Sequence, residues 1–214
     1  MTGWLSRTSY RLLGDRGALL AQRNPRLGLG LQRARILVRP EMYMAATLAW
    51  CAILFAVALL PLLLLGLAHA AGAISVPPRF YALLVPAPVV VAALAYVLRL
   101  LLPDLRALTR ARDIDAKLPY AINYISTMAA AGATPEQIFT SLSRQAIYGE
   151  VAQEAAWVAR DLKVLGTDIL TALSRATDRS PSARFQDFVQ GMVTTLSSGG
   201  QLKSYLNSKS EQYL

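Results

Sequence analysis

A chain of 214 residues has room for one or two domains of ordinary size. Hydrophobic residues make up 54% of it and charged residues 16%, which excludes a disordered chain and speaks against a simple soluble globule. One cysteine and one histidine exclude an intrachain disulfide, a four-cysteine zinc site and a multi-histidine metal site, and the net charge of +9 points to a polyanionic partner or an anionic membrane surface.

The charge is concentrated at the start. Residues 1–41 carry eight arginines (7, 11, 16, 23, 26, 33, 35 and 39) against Asp15 and Glu41. Within this basic head, residues 4–22 interleave Leu5, Leu12, Leu13, Leu19 and Leu20 with arginines, and Trp4 and Tyr10 add aromatic bulk. That pattern reads either as an amphipathic helix lying on anionic lipid or as a loosely ordered arm that only sets topology. Gly28-Leu29-Gly30 lacks a third glycine and a preceding strand, so it is no dinucleotide loop.

Residues 42–78 contain no Lys, Arg, Asp or Glu, and after Arg79 the run Phe80–Leu98 is again uncharged. About 30 Å of hydrocarbon takes roughly 20 apolar residues to cross. The sequence therefore predicts two transmembrane helices, about 44–68 and 81–102, within a membrane region 42–102. The short turn between them contains Gly72 and Pro77-Pro78. Pro61, Pro86 and Pro88 are expected to kink these helices. Tyr43 and Trp50 are placed near one interface, and Phe80 and Tyr81 near the other. Arginines flank the outer ends of the pair, while Arg79 stands alone in the turn, so both polar regions are expected in the cytoplasm. His69 reads as an interface residue, Cys51 as a small apolar one, and Arg99 as reaching back to headgroups.

From Pro103 onward the charges nearly balance, with 12 basic and 11 acidic residues. After Asp113 the apolar period is about 3.6, and the fold class is all-α: a transmembrane hairpin followed by a cytoplasmic bundle of about six short helices over 103–214. Leu118, Ile122, Ile125 and Met128 make the first buried face, and Gly132 stops that helix. Thr134-Pro135-Glu136-Gln137 is a capping box, with Ile138 and Leu142 buried behind it. Val151, Ala155, Val158, Leu162 and Leu165 form the third face, Gly166 ends that helix, and Thr167 caps the next, whose core residues are Ile169, Leu170 and Leu173. Ser180-Pro181 starts the fifth helix, with Phe185, Phe188, Met192 and Leu196 inward. Ser197-Ser198-Gly199-Gly200 breaks it, and Leu202, Tyr205 and Leu206 begin a sixth.

Chemistry is sparse. The tail lacks histidine and cysteine, so no nucleophile–base pair or metal cluster presents itself, and no cofactor is implied. Asp113 and Asp115 are read as complementing the dipole of a helix that starts beside them. Glu150 and Glu154 are read as a solvated face, and Asp161 and Lys163 as pointing apart on their helix. Arg144, Arg160, Lys163, Arg175, Arg179 and Arg184 cluster in the middle of the tail. They read as a solvated surface or, more sharply, as a docking surface for a cytoplasmic partner.

An ordered set of segments carries a resemblance. It comprises Leu118–Tyr124 leading into Met128–Gly132, the Pro135-Glu136 start with Ile138-Phe139, Ile147–Val151, Asp161-Leu162 with Leu165–Leu173, and Ser198–Leu202 with Tyr205-Leu206. Together with Arg33-Ala34-Arg35 and Pro40–Tyr43, they resemble the type II secretion system F family over about residues 32–214. The subgroup they resemble is that of archaeal-type archaellum and type IV pilus platform proteins, related to tight-adherence platforms. The resemblance implies a non-enzymatic, multi-pass protein of the cell membrane that couples a hexameric secretion ATPase to extraction of pilin or archaellin subunits. It implies three partners: that ATPase, the pilins, and a second platform copy or the remaining half of the platform. Members of the subgroup usually carry a second cytoplasmic module and more spans, so a chain ending at Leu214 reads as a fragment or as one half of a pair. The alternatives are a membrane-anchored adaptor docking another protein, a transporter or enzyme subunit, and a tethered nucleic-acid binder. The last is disfavoured because topology already accounts for the arginines.

Overall fold

The computed structural model describes residues 18, 19, 21, 25–71, 77 and 84–213. The chain divides into two compact units, Met1–Leu105 and Arg106–Leu214. Eight α-helices are described, with no strand among the described residues. They are α1 (Pro25–Arg33), α2 (Pro40–Ala70), α3 (Ala87–Ala130), α4 (Pro135–Ser143), α5 (Gly149–Lys163), α6 (Ile169–Arg179), α7 (Ala183–Ser197) and α8 (Leu202–Tyr213). A single 3-10 turn, Ala146–Tyr148, joins α4 to α5.

In the first unit, Gly28-Leu29-Gly30 lies inside α1, and Gly28 faces the ring of Pro40. Most of the segment read as an amphipathic helix at 4–22 lies outside the described residues, as does nearly all of the turn between the apolar runs. α2 opens on Pro40, whose missing N–H costs nothing at a helix start. Its 31 residues run through Pro61 and, at 1.5 Å per residue, extend about 46 Å. α2 and α3 are both long and apolar enough to cross a membrane. Much of their apolar surface is exposed, including Leu60, Leu63, Leu64 and Leu67 on α2 and Val89, Val90, Leu94 and Val97 on α3.

α3 departs from expectation. The sequence reading ends a span near residue 102 and begins a separate helix beyond Asp113. The structure has one helix of 44 residues. Between Pro103 and Pro119 there is no glycine, and leucine, alanine and arginine keep the helix intact. Pro86 and Pro88 do not kink it: Pro86 precedes it, and Pro88 falls in its first turn, where its missing N–H has no partner to lose.

The core of the second unit gathers Ile114, Leu118, Ala121, Ile122 and Ile125 of α3 with Ile138, Phe139 and Leu142 of α4. Val151, Ala155, Val158 and Ala159 of α5, Ala172, Leu173 and Ala176 of α6, Phe185, Phe188, Val189 and Met192 of α7, and Leu206 of α8 complete it. Successive helices from α4 to α8 pack on one another in chain order. The end of α3 and these five helices make up the bundle of about six that the periodicity predicts.

The stops and caps are mostly where the sequence puts them. Gly132, Gly166 and Gly199 adopt φ of +82°, +62° and +71° just after helix ends. Thr134 and Gln137 exchange the two bonds of a capping box. Three details differ. α5 ends at Lys163, so Leu165 lies beyond the helix and is 54% exposed. The cap of α6 is Asp168, which accepts from Thr171 N–H, while the Thr167 hydroxyl turns back to the Asp161 carbonyl. α7 is capped by Ser182, two residues after the expected Ser180.

Candidate functional site

Two carboxylates on α3 serve the starts of other helices. Asp113 Oδ2 accepts from Glu150 N–H at 2.8 Å, at the beginning of α5, and its other oxygen pairs with Lys117 Nζ at 2.7 Å. The bond from Lys117 and then the bond from Glu150 N–H hold the Asp113 carboxyl below its ordinary value. Asp115 Oδ1 accepts from Ser182 Oγ at 2.5 Å, while Ser182 Oγ accepts from Phe185 N–H at the start of α7. Both aspartates lie mid-helix in α3, so the helix ends they complement are those of α5 and α7, not one beside them in sequence.

A second cluster corrects the reading of Glu150 and Glu154 as solvated. Arg110 donates from Nε to Glu150 Oε2 at 2.8 Å and from Nη2 to Glu154 Oε1 at 2.6 Å. Arg179 reaches the other oxygen of Glu154 at 3.1 Å, and its Nη1 lies 3.5 Å from Asp161 Oδ2. Arg160 Nη2 completes the chain at 2.9 Å from Asp161 Oδ1. The Glu154 and Asp161 side chains are 3% and 2% exposed. Three guanidinium groups face three carboxylates, which is the condition under which buried charge is tolerated. Arg160 and Arg179 also stack on the Trp157 ring, at 4.3 and 5.1 Å from its centroid. Arg179 Nη2 is buried with no hydrogen-bond partner.

The six basic residues proposed from sequence therefore divide. Arg160 and Arg179 come together over Trp157 and Asp161, with Arg179 turned inward at 17% exposure. Lys163 is solvent-facing and lies 3.8 Å from Glu136 of α4. It does point away from Asp161, as the helical spacing implies. Arg144, Arg175 and Arg184 are exposed, at the end of α4, on α6 and near the start of α7, and make no ion pair among the described residues. The sequence reading missed Glu154 and Arg110. The signal for Glu154 was its position three residues after Val151 and four before Val158, on the buried stripe.

Chemically, the network clamps α3, α5 and α6 together through ion pairs. Its carboxylates and guanidinium groups are paired with one another, which suits a structural role. No cluster of metal-ligating residues occurs among the described residues.

Residues 121–214 match the family described as "Type II secretion system (T2SS), protein F". An uncharacterized protein of Methanocaldococcus jannaschii is 33% identical over 114 residues, which is 53% of this chain and 19% of that protein. A second uncharacterized protein of the same organism is 30% identical over 89 residues, 42% of this chain and 27% of the relative. The chain thus spans about a fifth to a quarter of the length of these curated relatives. No solved structure matches it. The part of the chain that matches the type II secretion system protein F family thus begins at Ala121 inside α3 and runs through α8, which is the helical core described above.

Proposed function

We propose that this chain is part of a non-enzymatic integral-membrane platform for assembling a type IV pilus-like or archaellum filament. In this reading α2 and α3 form a transmembrane hairpin in the cell membrane, and both polar regions face the cytoplasm. The bundle meets a hexameric secretion ATPase, and the hairpin stands beside pilin or archaellin subunits and a further platform copy or half. The observation that carries the proposal is the protein F match over 121–214 in a chain that also contains two helices long and apolar enough to span. Platform proteins of the F family are non-enzymatic.

In the same reading, the basic residues singled out from the sequence are the docking surface for the ATPase. Arg144, Arg160, Lys163, Arg175 and Arg184 present their charge outward, and Arg179 supports them from beneath by sharing Asp161 and Trp157 with Arg160. The full chain, purified in detergent and mixed with the secretion ATPase of its host, is expected to retain the ATPase. Charge reversal at Arg144, Arg175 and Arg184 together is expected to weaken that retention while leaving helicity unchanged. Failure of the unaltered chain to retain the ATPase would overturn the motor-coupling reading.

A further inference from the structure

α3 passes through Pro103 without a break. Proline has no N–H, so the carbonyl four residues earlier, that of Arg99, loses its usual helical donor, and the proline ring crowds it. An open carbonyl in an apolar setting must find another partner. It does: Tyr43 Oη of α2 donates to the Arg99 carbonyl at 2.6 Å. The hydroxyl crosses from one apolar helix to the other and bonds the carbonyl that the proline has opened. Tyr43 is 8% exposed, and Thr47 Oγ1 anchors the same turn by donating to the Tyr43 carbonyl at 2.8 Å. One turn further on, Trp50 takes the side chain of the same arginine, with the guanidinium carbon 5.4 Å from its ring centroid. Tyr43, Thr47 and Trp50 follow at steps of four and three, so one face of α2 holds residue 99 by both its main chain and its side chain.

We propose that Tyr43 and Pro103 form a releasable latch between the two apolar helices. While the hydroxyl is bonded to the Arg99 carbonyl, α3 is held continuous and in fixed register with α2. When that bond opens, nothing replaces the helical hydrogen bond that Pro103 has removed, and the segment 99–103 becomes the place where α3 bends. The device depends on a conditional relationship: the hydroxyl matters because the proline is there. Aromatic positioning at a membrane interface alone would make the ring matter and leave the hydroxyl and Pro103 unconnected.

The test is a double-mutant cycle on the full chain in lipid nanodiscs, read by hydrogen-exchange mass spectrometry over residues 99–107. Tyr43→Phe is expected to raise local opening about three- to ten-fold, the range one hydrogen bond supplies. In a Pro103→Ala background, residue 103 returns an N–H to the Arg99 carbonyl, and the same Tyr43→Phe change is expected to alter opening by less than about two-fold. Pro103→Ala removes a helix breaker and Tyr43→Phe keeps the ring, so both variants retain the means to fold. An equal effect of Tyr43→Phe in the two backgrounds, or no effect in either, would overturn the latch.

Discussion

Arg179 Nε donates to Glu154 Oε2 at 3.1 Å, joining the last turn of α6 to the middle of α5. Arg110 of α3 holds the other oxygen of the same carboxylate. Glu154 is therefore the node on which three helices meet, and its removal leaves two inward guanidinium groups without their shared counter-charge. Glu154→Ala is expected to cost about 3–5 kcal/mol, the penalty of breaking a buried pair from one side. Arg175→Glu, on the exposed side of α6, is expected to stay within about 0.5 kcal/mol. Thermal unfolding of the full chain in detergent, followed by helical circular dichroism, separates the two. Equal losses would mean that the network is not what holds α3, α5 and α6 together.

At Gly191 of α7, Tyr205 of α8 packs closely against the backbone. A Cβ there would overlap the Tyr205 ring and hydroxyl, and that hydroxyl donates to the Phe188 carbonyl at 2.8 Å. The phenol cannot retreat without giving up this bond and its stacking on Phe188, where the ring centroids are 6.2 Å apart. Gly191→Ala gains helix propensity within α7, worth about 1 kcal/mol, but the overpacking costs about 1–3 kcal/mol and is expected to prevail. The effect should be local. Amides of α8 should exchange faster than in the unaltered chain, with those of α4 unchanged.

The apolar periods were sufficient to place the bundle's helices and most of their buried faces, because Leu118, Ile122, Ile125 and Val151, Ala155, Val158 step at helical intervals. They were insufficient where a long-range contact overrides a local signal. Pro103 reads as a boundary until Tyr43, 60 positions earlier, is seen to satisfy the carbonyl it opens. Glu154 reads as solvated, and Asp161 only as pointing away from Lys163, until Arg110 and Arg179 arrive from other helices to neutralise them. Leu165 fits the core period, but its helix has already ended at Lys163. The basic set proposed as a docking surface was legible as a composition. Which members face outward was not, because Arg179 differs from Arg175 only in what it reaches across space.

Ser182 shows the same dependence on a distant partner. Its hydroxyl accepts from Phe185 N–H, capping α7, and donates to Asp115 of α3. Ser182→Ala removes both bonds at once. The cap alone is worth about 1 kcal/mol, and leaving Asp115 without this donor adds to it, so a loss of about 1–2 kcal/mol is expected. Asp115→Asn should cost less than Ser182→Ala, since the serine still caps α7. Denaturant unfolding of the two variants, compared at equal slope, decides the order. The reverse order would place the weight on the charge of Asp115.

Acid should weaken the start of α5 through Asp113. The bond from Lys117, followed by that from Glu150 N–H, lowers its carboxyl below the ordinary 3.8 in the folded chain. A depressed folded value means that the unfolded chain takes up the proton first as pH falls. The stabilisation is therefore complete above about pH 5 and is lost as pH drops through the ordinary value and then the folded one. Asp113→Asn cannot titrate, so its melting temperature should fall less steeply than that of the unaltered chain between about pH 5 and pH 2, while lying lower at neutral pH. Lys117→Met should also flatten the acid limb, by removing the first cause of the depression. Parallel pH profiles for all three chains would show that the Asp113 carboxyl is not held down by these contacts.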